Sequence, residues 1–324
     1  MNDVTVTLEQ KFGADRVRRN VPLAPMTTFK VGGPADLFLE TQTEAEMIEA
    51  VKIAHAGGVK VTLLGGGSNV LVADGGIRGL VIRPKGGNVS IIGSPESAPS
   101  VPAVALVRAD AAVTINGLVR WTINRGYAGV EAWAGTPGTV GGAIYGNAHW
   151  KSTNIGDLIE SVRLARTDGT LLQAPADRME FDYDYSRLKR TGEIVLWAVF
   201  RVTPGGDPAA LRAVARESLA FRKRTQPLES PSAGCIFMNP DPVRDRVPDG
   251  IPPSAGALVD RAGLKGVSSH GARVSATHAN FIINDGSASA AAIRELIERC
   301  RGAVKDRFGV SLRNEIIYLG DFED

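Results

Sequence analysis

A chain of 324 residues is long enough for two or three compact units and a large buried core. Apolar residues at 44% and charged residues at 22% exclude a disordered or collagen-like chain. The net charge of +2 gives no overall pull toward nucleic acid, so any cationic site must be local.

The N-terminal "MNDVTVTLEQKFG" alternates polar and apolar residues without a signal-type apolar core, and no uncharged apolar run approaches the roughly 18 residues of a membrane span. A cytoplasmic protein is expected, with Cys235 and Cys300 as thiols rather than a disulfide. Met47, Ile48, Val51 and Ala54 share one face of a helix over 44–56, opened by a Thr43/Glu46 capping box and closed by Gly57. A short β-branched strand, "VKVTLL" (59–64), then runs into "GGGSN" (65–69) and a second strand, "VLVA" (70–73).

That loop is neither a P-loop nor a dinucleotide fingerprint. It is a run of glycines whose N–H groups can crowd an anion, with Ser68 and Asn69 as side-chain donors, or else a plain turn. A second glycine-rich stretch, "AGTPGTVGGAIYGNA" (134–148), follows a helix around 115–125 and places Thr136 and Thr139 between glycines. Glycine clustered twice points to close backbone approach to a ligand, because each misplaced glycine costs regular structure about 0.5–1 kcal/mol.

From 158 to 203 the pattern is β-rich: a hairpin across Asp168-Gly169, then the long buried strand "EIVLWAVFRV". The Pro-Gly-Gly at 204–206 marks a domain boundary. Beyond it lie an arginine-rich helix over 209–224 and a long amphipathic helix over 287–308. The second buries Ile293, Leu296, Ile297, Cys300, Val304 and Phe308, so Cys300 is a core residue. Cys235 is the cysteine with an open question: it is a small buried hydrophobe or a group that gives its proton away.

Seven motifs occur in one order: "MTTFKVGGPADLF", "LLGGGSNVLVADGGIRGLVI", "GTPGTVGGAIYGNA", "PSAGCIFMNP", "AGLKG", "VSATHANFIIN" and "FGVSLRNEIIYLG". From about residue 20 to the end the chain thereby resembles the UDP-N-acetylenolpyruvoylglucosamine reductases, flavoenzymes of peptidoglycan precursor synthesis. The resemblance implies an α+β fold: a two-subdomain FAD-binding region of the vanillyl-alcohol-oxidase (PCMH) type over 18–205, with subdomains at 18–86 and 87–205. It further implies a C-terminal α+β substrate domain over 206–324 whose last strand returns to the first subdomain.

It implies non-covalent FAD held by Gly65, Gly66, Gly67, Ser68, Asn69, Thr136, Gly138, Thr139, Gly142 and Asn147, with NADPH as hydride donor. The UDP-sugar would be met by Asn239, Lys265 and Arg222, whose other reading is a solvated basic face. Cys235 matches the proton donor, a serine or cysteine in this family, and Glu315 the glutamate that helps polarise or protonate the intermediate. A monomer is expected, without nucleic-acid or membrane partners. The four histidines show no metal-ligand spacing, so no metal is expected.

Two stretches depart from the family pattern. In "FDYDYSRLK" (181–189) Asp184 stands where the family carries an arginine, and "NAHWKSTN" (147–154) differs from the usual "NAGAYG". Loss of one preorganised donor at such a site costs about 3–4 kcal/mol, or a 100- to 1000-fold slower step. Arg187, Lys189 or a cation from elsewhere could take that place. Otherwise the chain is a diverged FAD-binding oxidoreductase with another substrate, or a non-catalytic nucleotide-sugar-binding relative.

Overall fold

The computed structural model describes residues 2–93, 104–151 and 153–322. The chain divides into two units, one formed by Met1–Arg19, Leu37–Gly66 and Gly79–Phe221, the other by Asn20–Asp36, Gly67–Arg78 and Arg222–Asp324. This division is not the expected one at 206. The break falls between Phe221 and Arg222, inside the helix Pro208–Thr225, and the second unit gathers two early segments as well as the C-terminal third.

In the first unit the N-terminal segment is a helix, Asn2–Phe12, despite its β-branched residues. Val4, Leu8 and Phe12 recur every four residues and are all buried, so tertiary packing outweighs local propensity. They pack with Met47, Ala50 and Val51 of the helix Glu44–Ala56 and with Leu37, Leu39, Leu80 and Ile82. Thr43 caps that helix as the sequence implies, accepting the Glu46 N–H at 3.1 Å. The Glu46 carboxylate takes the Gln42 N–H and a bidentate pair with Arg16 instead of closing the reciprocal half of the box.

The short strand Val61–Leu63 pairs in parallel with Ile77–Pro84, Val61 opposite Leu80 and Leu63 opposite Ile82. It therefore delivers the chain to Gly65 at the strand's C-terminal end. An antiparallel five-stranded sheet follows, in the order Leu171–Pro175, Ile159–Ala165, Ile194–Val202, Ala105–Asp110, Val89–Gly93. The hairpin expected across Asp168-Gly169 is there, with Ala165 opposite Leu171. Trp133, Val140, Ile144 and Phe200 fill the core beside this sheet.

The second unit is built on the helix Ala290–Phe308, which buries Ile293, Leu296, Ile297, Cys300 and Val304, with Phe308 partly buried. Its first N–H groups are taken by a side chain distant in sequence. The Asp74 carboxylate accepts from Ala290 at 2.8 Å and Ala291 at 2.9 Å, while Ser289 accepts from Ala292. Against the helix lie Ala255–Arg261 and a three-stranded antiparallel sheet, Ser268–Ser269, Ala272–Val274 and Ile282–Asn284. The last strand, Ile317–Leu319, pairs in parallel with Val70–Val72.

Candidate functional site

The two glycine-rich loops of the first unit lie against each other. A Cβ on Gly65 would stand 2.8 Å from Thr139 Oγ1, and one on Gly66 would stand 2.7 Å from Gly138 Cα. Glycine is required here for loop-on-loop contact, a reason that spacing alone does not reveal. Asn116, from the helix Ile115–Asn124, holds the second loop at two points, accepting the Gly135 N–H at 2.7 Å and donating to Thr136 O at 3.3 Å. Thr139 caps the following turn by accepting the Gly142 N–H. Among the described residues the N–H groups of Gly65 and Gly66 meet no acceptor.

Beside the loops is a cleft of about 570 Å³, within the range of cofactor sites. Gly65, Gly66, Thr114 and Thr139 line it, with Arg83 and Lys85 bringing positive charge. Backbone donors on glycines, a hydroxyl and two cations suit a dinucleotide diphosphate. The residues present therefore fit FAD.

The expected cofactor residues do not all stand alike. Asn147 is 1% exposed, with its amide donating to Asp182 O at 2.8 Å and accepting the Gly156 N–H at 2.9 Å. It is a clamp between backbone segments, at a left-handed φ of 44°. Gly67, Ser68 and Asn69 belong to the second unit. There Asn69 donates to Glu315 O at 3.2 Å, and its own carbonyl accepts the Ile317 N–H, so this asparagine holds the backbone that carries Glu315.

Cys235 and Glu315 come together in the second unit. The segment 235–238 lies between two others: Ile236 donates to Asn280 O, Met238 to Arg313 O, and Glu315 to Ile236 O, all within 2.8–2.9 Å. Isolated bridges join Cys235 to Phe281 and Phe237 to Asn314. Cys235 retains some exposure as a residue, yet burial pushes its thiol well above the ordinary range. The Glu315 charge pushes the same way, while a hydrogen bond from Asn280 and the Arg222 cation act against it.

Arg222 is 5% exposed, unlike its exposed neighbours Lys223 and Arg224. Burial lowers it to about 10, which leaves it cationic at neutral pH. The basic run is thus a solvated face with one arginine turned inward. Asn239 caps the helix Ala255–Arg261 by accepting the Ala255 N–H at 3.1 Å. Lys265 is exposed and pairs with Asp260 at 3.1 Å.

Asp184, in the first unit, is 6% exposed and adopts a φ of 50°. Burial raises its carboxyl, and Lys189 opposes the rise through a 3.0 Å ion pair. Arg187 does not reach it: its guanidinium is committed to Glu193 and to Arg178 O. The cation beside Asp184 is Lys189. Arg83, Lys85, Asn116 and Asn280 are residues that sequence reasoning missed. Asn280 lies inside a motif already singled out and Asn116 in the helix that precedes the second loop, but an asparagine that grips backbone has no spacing signature.

Residues 35–174 match the family described as FAD binding domain. With the glycine cradle, this defines the class: an FAD-dependent oxidoreductase. Residues 226–319 match the C-terminal domain of UDP-N-acetylenolpyruvoylglucosamine reductase. The reductase of that name from Nostoc punctiforme is 34% identical, over 95% of this chain and 87% of its own, and that from Parasynechococcus marenigrum is 36% identical, over 94% and 96%. The solved structure of the Thermus caldophilus enzyme superposes with a TM-score of 0.74 at 30% identity, covering 94% of this chain and 99% of its own. The chain belongs to the UDP-N-acetylenolpyruvoylglucosamine reductase family. Among the described residues no helix is long and apolar enough to cross a membrane, and no group of histidine, cysteine or carboxylate side chains could hold a metal.

Proposed function

We propose that this chain reduces the enolpyruvyl group of UDP-N-acetylenolpyruvoylglucosamine to UDP-N-acetylmuramate, as a cytoplasmic monomer using NADPH. When bound, FAD supplies the hydride transfer, for which Gly65, Gly66, Thr139, Arg83 and Lys85 hold its diphosphate. Hydride delivered to the double bond leaves negative charge that the substrate carboxylate shares, and the neighbouring carbon then needs a proton.

Cys235 supplies that proton. A thiol is far more acidic than an alcohol, yet burial keeps this one neutral and loaded at working pH. Glu315 stands on the adjacent segment, where its carboxyl polarises the intermediate or reloads the sulfur. Arg222 supplies positive charge to the developing anion, a role that Asp184, of the wrong sign, cannot fill. The observation that carries this reading is the 2.8 Å bond from Glu315 N–H to Ile236 O, which sets the two reacting residues on paired segments of one unit.

The test is NADPH oxidation that depends on the enolpyruvyl sugar, in wild type beside Cys235→Ala and Glu315→Gln. Turnover should fall at least about 100-fold in each variant with flavin retained. A yellow wild-type protein with no sugar-dependent oxidation would instead assign a diverged flavoprotein, and unchanged variant rates would remove both residues from the chemistry.

A further inference from the structure

Glu315 stands on a stretch without regular structure. Between the helix Ala290–Phe308 and the strand Ile317–Leu319 the chain passes through 310–316 with no helix or strand, only an isolated bridge at Asn314. Such a stretch takes its course from the groups that meet its backbone. Arg301, one residue past the core Cys300, meets it twice. Its Nε donates to Leu312 O at 3.1 Å and its Nη2 to Asn314 Oδ1 at 2.5 Å.

The same guanidinium is anchored on its other sides. Nη1 donates to the Glu298 carboxylate one turn back on the helix, and the group lies over the Phe237 ring, 6.0 Å from its centroid. Phe237 is 1% exposed, and its backbone bridges to Asn314. The donors of a guanidinium sit in one rigid plane, so an anchored arginine dictates where Leu312 O and the Asn314 amide lie. A lysine would bring the same charge to a single point and could not hold both. Glu315 begins one residue further on, its N–H on Ile236 O at 2.8 Å and its O accepting from Asn69 Nδ2 at 3.2 Å.

We propose that Arg301 is a positioning residue for Glu315: seated on Phe237 and Glu298, its guanidinium ties 312–314 to the long helix and so fixes the backbone from which the Glu315 carboxyl is presented. A glutamate whose backbone drifts presents its carboxyl correctly only part of the time, and a misplacement of about 1 Å can cost on the order of 100-fold in rate. The catalytic consequence rests on the reductase reading, whereas the hold on the backbone is measurable without it.

The experiment uses the FAD-loaded full chain as wild type, Arg301→Lys, Asn314→Ala, Glu315→Gln, and Arg301→Lys combined with Glu315→Gln. Amide hydrogen exchange, read by mass on peptides covering 310–318, should be faster by at least about threefold in Arg301→Lys and unchanged over 255–261. With NADPH and the enolpyruvyl sugar, kcat should fall by roughly tenfold in Arg301→Lys while KM moves less than about twofold. In the Glu315→Gln background the same lysine should change kcat by less than about twofold, because the carboxyl it served is gone. An equal fall in both backgrounds, as a general packing role would give, overturns the proposal, and so does exchange coincident with wild type. If Arg301→Lys does not fold, Asn314→Ala, which removes one of the two bonds, must show the faster exchange. Failure of both variants to fold overturns the proposal by assigning these bonds to the fold alone. Faster exchange in a protein that lacks sugar turnover, or whose Glu315→Gln variant keeps its rate, leaves the hold on the backbone standing and removes the catalytic reading of Glu315.

Discussion

Cys235 is open to two roles, core and chemistry, and its surroundings decide between them. Burial and Glu315 hold the proton on, while Asn280 and Arg222 ease it off. A thiol raised in this way stays protonated above its ordinary pKa of about 8.5, so the donor is intact at pH values where an exposed thiol is half ionised. Turnover measured against pH should therefore hold level through the ordinary thiol range and fall only above it. In Cys235→Ser the fall should disappear, because an alcohol does not titrate there. A decline centred at the ordinary value in wild type would contradict the thiol assignment. Stability has the same sign: the unfolded chain ionises first, so folding loses free energy as pH rises from the ordinary thiol pKa toward the raised one. Cys300 behaves otherwise. It is pushed up to about 12 by burial in the helix Ala290–Phe308, and helical periodicity alone identifies it as core.

Among the elements, the glycine-rich loops show how much of a site periodicity can reveal. The strand, loop, strand order at 59–73 and the helix before the second loop are legible because burial repeats at 2 or 3.6 residues. That the loops touch is not legible, since contact between Gly66 and Gly138 depends on two segments meeting in space. The contact makes a sharp prediction. Gly66→Ala places a methyl 2.7 Å from Gly138 Cα, where backbone must move. FAD affinity, followed by quenching of flavin fluorescence, should weaken by at least about tenfold, and the FAD-free protein should also melt earlier because the facing backbone has to shift. Equal affinity in the variant would mean that the loops do not set the cofactor's seat. Asn147, which the motif places with the cofactor, also has a part in the fold, its amide serving the Asp182 and Gly156 backbone.

For the whole molecule, the second unit is assembled from three stretches of chain, and long-range polar contacts hold them. Asp74 caps a helix that begins at residue 290, Asn69 grips Glu315 O, and Asn284 donates to Phe29 O at 2.8 Å. Asp74→Ala leaves two helix N-terminal donors unmet and removes a carboxylate from the positive end of the helix dipole. It should cost about 1–2 kcal/mol, read as a lower denaturant midpoint. Because Asp74 and Asn69 share the segment 67–78, turnover should fall beyond what lost folding explains. A midpoint equal to wild type would show that the Ser289 cap suffices.

The sequence by itself determined the class of the chain and the helices over 44–56 and 287–308 with most of the face each buries, and it singled out Cys235 and Glu315 as candidates for the chemistry. Apolar periodicity and ordered motifs are local properties, and local properties are written residue by residue. Tertiary structure alone decided that 20–36 and 67–78 join the C-terminal unit, that Arg222 turns inward while Lys223 and Arg224 do not, that Lys189 rather than Arg187 meets Asp184, and that Asn280 grips the neighbourhood of the thiol. These are pairings between distant segments. A polar side chain acquires its role from the partner the fold sets beside it, and no spacing along the chain encodes that partner.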